Sequence, residues 1–84
     1  MPEAAAAAFA AELVQLRLQA GMSTHELAEW LGIQPADVAL SEAGQRCVDV
    51  VELFHWCHTC GSSLDAFAER MERRLALAGV LSSH

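Results

Sequence analysis

Cys57 and Cys60 stand in a C-x-x-C spacing, with His55 and His58 interleaved and Cys47 further upstream. Thiolates and imidazoles are the ligands of tetrahedral zinc, so this is the densest concentration of metal-binding chemistry in the chain. Spacing on a helix decides what it can do, because only residues three or four apart share a face. Cys57 and Cys60 share one face. His55 and His58 share another, roughly opposite the side of Cys57. A structural zinc site usually draws four ligands, often with a second pair from elsewhere. Cys47 is a candidate third ligand and no fourth is evident. Free cysteine otherwise behaves as a small apolar residue. The reading taken is therefore core packing, with no metal and no cofactor. Other catalytic chemistry is thin. There is no Gly-rich phosphate loop and no nucleophile–base–acid set, and the acidic residues are scattered over helix faces. A chain of 84 residues is also small for a deep pocket of its own. An enzyme is not expected.

The elements that carry these residues are punctuated by caps and glycines. Hydrophobic residues make up 54% of the chain, and the prominence of Ala and Leu favours helix. No alternating pattern suggests a sheet. A first helix is predicted from about Glu3 to Ala20, stopped by Gly21. Phe9, Leu13, Leu16 and Ala20 form its apolar face, and Ala7, Ala10, Val14 and Leu18 form a second stripe. Ser23 and Glu26 have the spacing of a capping box and open a second helix, whose Leu27, Ala28 and Leu31 face inward. Gly32 ends it. Pro35 suits the first position of a third helix, with Val38 inward and Gly44 at its close. Asp49 with Glu52 announces a fourth helix by the same reciprocal pattern. Its apolar face is Val50, Leu53, Phe54, Trp56, Cys57 and Cys60. Ser63 caps a fifth, from about Leu64 to Ala78, with Leu64, Phe67, Met71 and Leu75 on one side. Trp30 and Trp56 are assigned to core or interface, and His25 to the surface.

The stretch from Leu16 to Met71 carries a connected set of motifs. These are Leu16-Arg17, Gly21-Met22-Ser23, Glu26-Leu27-Ala28, Leu31-Gly32-Ile33, Val38, Glu42, Gly44 and Ser63-Leu64-Asp65-Ala66-Phe67. In order and spacing they resemble the lambda-repressor/Cro-like (XRE-type) helix-turn-helix family. The resemblance implies a compact five-helix, all-α, lambda-repressor-like DNA-binding domain fold with the helix-turn-helix at residues 23–44. It also implies a single domain over 1–84 with its core in 16–71, commonly dimeric, in which the third helix lies in the DNA major groove. Carried over by position, it places Ser23, Thr24, Gln45 and Arg46 on the phosphate backbone. It places Gln34, Pro35, Ala36, Asp37 and Leu40 at the bases. The positions of Cys57 and Cys60 are small or apolar core sites in the family pattern.

The sequence departs from that pattern on its outward face. Base edges are read by hydrogen bonds, yet Pro35, Ala36, Ala39 and Leu40 offer no polar side chain. Residues 23–44 contain Glu26, Glu29, Asp37 and Glu42 and neither Lys nor Arg. The whole chain has five arginines, no lysine and eleven acidic residues, for a net charge of −6. DNA affinity comes largely from neutralising phosphates, so this balance opposes it. Ser41 also stands where the family has an apolar anchor and Leu40 takes the usually polar place, implying either a rotated third helix or an exposed Leu40. Two readings follow. One is a small transcriptional regulator that binds double-stranded DNA as a homodimer. The other is a protein that keeps the fold but uses its acidic and apolar surface to bind a protein partner.

The second stripe of the first helix and the amphipathic fifth helix suggest the dimer surface, with Val14, Leu18, Met71, Leu75, Leu77 and Val80 as candidates. Glu69 and Arg73 are spaced for a solvated ion pair. No segment approaches the length of a membrane span. The odd cysteine count and the absence of a basic, signal-like start lead to the expectation of a reducing, cytoplasmic setting.

Overall fold

The computed structural model describes residues 3–79, and Val80 and His84 lie outside them. Five helices follow one another: α1 (Glu3–Gln19), α2 (Thr24–Leu31), α3 (Pro35–Glu42), α4 (Val50–Thr59) and α5 (Leu64–Leu77). No strand occurs among the described residues. The boundaries fall where the caps require. Ser23 Oγ accepts the Glu26 N–H at 3.1 Å while Glu26 Oε1 accepts the Ser23 N–H at 2.9 Å, closing the capping box. Gly32 ends α2 with φ of 71°, a left-handed conformation that costs glycine nothing sterically. Ser63 Oγ caps α5 on the Ala66 N–H.

Helix α1 packs against α3 and α5, and α2 packs against α3 and α4. Between them lies one core of Leu13, Leu16, Leu27, Ala28, Val38, Trp56, Cys57 and Phe67. An edge-on contact of Phe9 and Phe67, with ring centroids 5.3 Å apart, joins α1 to α5. The same joint holds a charge. Glu12 is buried, and its two oxygens accept from Arg70 Nε and Arg74 Nε, each at 2.8 Å. Since Glu12 is followed by Arg70 and Arg74 at great sequence distance, nothing local announces this clamp.

Several sequence expectations change here. The apolar face of α4 is divided. Trp56 and Cys57 are buried, but Val50, Val51 and Phe54 are exposed because α4 turns them away from α2 and α5. The Asp49 pattern is half made. Asp49 Oδ1 accepts the Glu52 N–H, but the Glu52 carboxylate is bonded to Arg46 instead of returning to the cap. Trp30 is not part of the core, being 74% exposed on α2. The second stripe of α1 is also broken up, with Ala10 buried and Ala7 and Leu18 exposed. Helix α3 is not rotated: Val38 and Ser41 are buried on its inner side and Leu40 is exposed. Buried Ser41 is satisfied, because its hydroxyl donates to the Asp37 carbonyl at 2.8 Å and accepts from Arg46.

Candidate nucleic-acid interface

The tight connection Gly32-Ile33-Gln34 fixes α3 against α2. Ile33 N–H bonds back to the Ala28 carbonyl, and Ile33 itself packs on the core. Ser23 satisfies the N–H groups of Glu26 (side chain) and Leu27 (carbonyl). Thr24 and His25 thus supply the first-turn N–H groups of α2 that remain for another acceptor. The third helix starts at Pro35, which has no N–H to satisfy. Asp37 Oδ2 accepts the Gln34 N–H at 3.1 Å, so this acidic residue has a local capping task whatever else it does.

Of the nine sequence-derived contact residues, Ser23, Gln34, Ala36, Leu40 and Gln45 are exposed, and Thr24, Pro35, Asp37 and Arg46 are half-buried. Ser23 and Thr24 lie at the start of α2, Gln34 to Leu40 on α3, and Gln45 and Arg46 just after it. The exposed α3 surface is made of alanines and Leu40 flanked by glutamine amides. It offers hydrogen bonds only at its two ends.

Arg46 is the cation that the resemblance places on a backbone phosphate. Its guanidinium is engaged within the protein. It donates to both oxygens of Glu52, at 2.5 and 3.0 Å, and to Ser41 Oγ at 3.0 Å, and its Nε lies 4.0 Å from Asp37. The hydrogen bonds to Glu52 raise its pKa further above the ordinary arginine value. Arg17 is similarly held. It donates to both oxygens of Glu42, at 2.7 and 3.1 Å, and to the Met22 carbonyl, fastening the end of α1 to the end of α3. Arg70 and Arg74 grip Glu12, and Arg73 pairs with Glu69. All five arginines of the chain therefore face a carboxylate. Sequence reasoning missed this because three of the pairings join different helices; only Glu69–Arg73 has a readable spacing.

The cysteine–histidine set is dispersed as the helix faces required. Cys57 is buried in the core, Cys60 packs against it, and Cys47 is exposed. His55 and His58 are exposed, each against the ring of Phe54. No group of three potential ligands is brought together among the described residues. The candidate dimer residues are not gathered into one patch either. Met71 packs on its own core, and Val14 and Leu75 are half-buried. Leu18 and Leu77 are exposed, but at opposite ends of the α1–α5 pair: Leu77 lies beside Ala4 and Ala8 at the start of α1. No described helix is long and apolar enough to cross a membrane.

No protein-family model matches the chain, and no curated protein matches it. Among solved structures, the crystal structure of the clp gene regulator ClgR from Corynebacterium glutamicum is similar to it. The TM-score is 0.81 at 27% sequence identity, covering 89% of this chain and 80% of that one. The five-helix, all-α helix-turn-helix architecture is thus shared with a gene regulator over nearly the whole chain.

Proposed function

We propose that the chain is a helix-turn-helix transcriptional regulator of the lambda-repressor/Cro-like type that binds double-stranded DNA as a homodimer in the cytoplasm. The likeness to a gene regulator over 89% of the chain carries this reading. In it, the start of α2 receives a phosphate oxygen on the Thr24 and His25 N–H groups and the Ser23 hydroxyl. Gln34 and Gln45 hydrogen-bond at the ends of α3, Pro35 and Asp37 line the first turn, and Ala36 and Leu40 meet thymine methyl groups. Asp37 retains acceptor capacity for a cytosine amino group. Arg46 reaches a phosphate only by leaving Glu52.

That exchange gives a two-directional test. Fluorescence anisotropy with duplex fragments flanking the protein's own gene should show binding at low salt. Glu52→Gln, which frees Arg46, should tighten it, and Arg46→Gln should weaken it. A destabilised protein does not bind more tightly, so the Glu52 result separates a phosphate contact from a folding defect. Absence of any shift at low salt for wild type and Glu52→Gln alike overturns the DNA reading. One observation favours a second reading, a protein-interaction module. No arginine is without a carboxylate partner, and the exposed α3 surface between its glutamine ends is apolar, made of alanines and Leu40. That reading takes over if DNA binding fails.

A further inference from the structure

Among the described residues, helix α4 carries three of the seven large hydrophobic side chains that are exposed: Val50 at 67%, Val51 at 62% and Phe54 at 43%. The others, Leu18, Trp30, Leu40 and Leu77, stand singly, one on each of the four other helices. Positions 50, 51, 54, 55 and 58 follow helical spacing, so Val50, Val51, Phe54, His55 and His58 share one side of α4. Phe54 lies between the two imidazoles, with centroids 5.6 Å from His55 and 4.3 Å from His58. This face contains no carboxylate. The one acid within α4, Glu52, is turned to Arg46.

We infer that this α4 face is where two copies of the chain meet, α4 against α4 across a two-fold axis near Phe54. The inference rests on the homodimer reading above and gives it a surface. Charge selects the occupant. Two chains that each carry −6 repel at their acidic faces and can approach at least cost across one without a carboxylate. A basic protein partner would be drawn to the acidic faces and not to this one. The face is also self-complementary, as a two-fold contact requires. Antiparallel pairing about Phe54 sets the Asp49 end of one helix beside the His58 end of the other. It also opposes the two helix dipoles favourably. Valines at one end then meet the aromatic and imidazole surface at the other. One ten-residue helix face falls at the small end of specific interfaces, so dissociation in the micromolar range is expected.

Sedimentation equilibrium of the full chain tests this with Val51→Asp and Phe54→Asp on α4 and Leu77→Asp at the far end of α5. The expected result is a wild-type dimer and at least ~10-fold weaker association in each α4 variant, as for loss of a central interface residue. Leu77→Asp should associate like wild type, and circular dichroism should confirm that all variants fold. A monomeric wild type up to millimolar concentration overturns the homodimer reading and this inference together. A wild-type dimer that Leu77→Asp breaks and the α4 variants leave intact overturns this inference alone. As a second readout, Phe54→Cys in a Cys47→Ser background should form an intermolecular disulfide at the axis. Failure to do so in a dimeric protein also overturns the α4 geometry.

Discussion

The buried carboxylate of Glu12 offers the sharpest test of how this small core is held. Its side chain is 1% exposed, whereas its two partners, Arg70 and Arg74, are 32% and 36% exposed. The clamp is therefore asymmetric. Glu12→Gln removes the negative charge and turns one buried acceptor into an amide NH2 facing a donor, but it strands no charge, since both guanidiniums can turn to water. The cost is the lost charge-assisted hydrogen bonding, about 1.5–3 kcal/mol. Replacing Arg70 and Arg74 by Met keeps their apolar stems but leaves a carboxylate in the interior without a partner, at about 3–5 kcal/mol. The triple variant that also carries Glu12→Leu exchanges the whole ion triad for apolar contact and should recover most of that loss. A chain of this size has a total stability of about 4–13 kcal/mol, so the double Arg variant approaches the unfolding threshold. At about 4–8 °C per kcal/mol, melting temperatures should fall by roughly 10 °C for Glu12→Gln and about 20 °C or more for the Arg pair. Urea titration followed by tryptophan fluorescence reads this directly, because Trp56 is buried and will report unfolding while Trp30 is already exposed. Equal destabilisation by Glu12→Gln and the Arg pair, or a triple variant no better than the double, would refute the argument.

Three further outcomes are expected. Ser23 hydrogen-bonds the Glu26 carboxylate through its backbone N–H and holds its pKa below the usual value, so this stabilisation is present at neutral pH and lost as pH falls through the folded Glu26 value. Glu26→Ala removes the carboxylate that this N–H bonds, so it should lose stability at neutral pH and its gap from wild type should narrow as pH falls through the folded Glu26 value; a gap unchanged by pH would contradict the capping box. Gly32→Ala places a Cβ in open space but in a left-handed backbone at φ of 71°, so it should cost about 1–2 kcal/mol from backbone strain alone, read by thermal melting. Burial, and then the neighbouring Cys60, push the Cys57 thiol up to about 11, so its contribution to stability is full below the ordinary thiol range and is lost as pH rises toward that value. Maleimide at mildly alkaline pH should label Cys47 promptly, partly buried Cys60 more slowly, and spare Cys57 until urea is added, and prompt labelling of Cys57 in native protein, located by peptide mapping, would contradict the burial.

Local chemistry made the helices legible. Ser23 with Glu26, Pro35, Ser63 and the terminal glycines act within a few residues of themselves, and each marked a boundary that the structure keeps. The inward positions Leu13, Leu16, Leu27, Val38 and Phe67 followed from helical period, and the paired faces of Cys57 and His55 followed from the same rule. What failed to show in the sequence depends on how helices are turned toward one another. Val50 and Phe54 are as apolar as Leu53, and only the placement of α2 and α5 decides which of them is covered. Of the core or interface positions open to Trp30, the same placement excludes the core. The Arg17–Glu42 and Arg70–Glu12 pairs span 25 and 58 residues, so no local spacing betrays them. The candidate interface was legible as a list of positions, and what those side chains already hold was not.

That last point decides how DNA binding by this chain should look. In most basic recognition surfaces, cations face solvent and each phosphate contact releases counterions, which makes affinity fall steeply with salt. Here every arginine already has a carboxylate, so contact with a phosphate exchanges one ion pair for another. Arg17 and Arg46 both stand beside α3, but Arg17 also ties α1 to it, so Arg46 is the one that can move, one per protomer, and a dimer that moved both copies would neutralise about two phosphates. The logarithm of affinity should then fall with the logarithm of salt at a slope of only about −2. Alanine and leucine contacts with base methyl groups and the two glutamine amides would have to supply most of the discrimination, and these depend little on salt. Glu52→Gln removes the competing carboxylate, so it should raise affinity by a similar factor across the salt range and leave the slope near the same value. A steep slope in the wild type would mean that Arg17 or the α5 arginines also leave their partners, which would pull apart the α1–α3 or α1–α5 joint. The internal pairing of Arg17, Arg70 and Arg74 argues that the fold does not permit this.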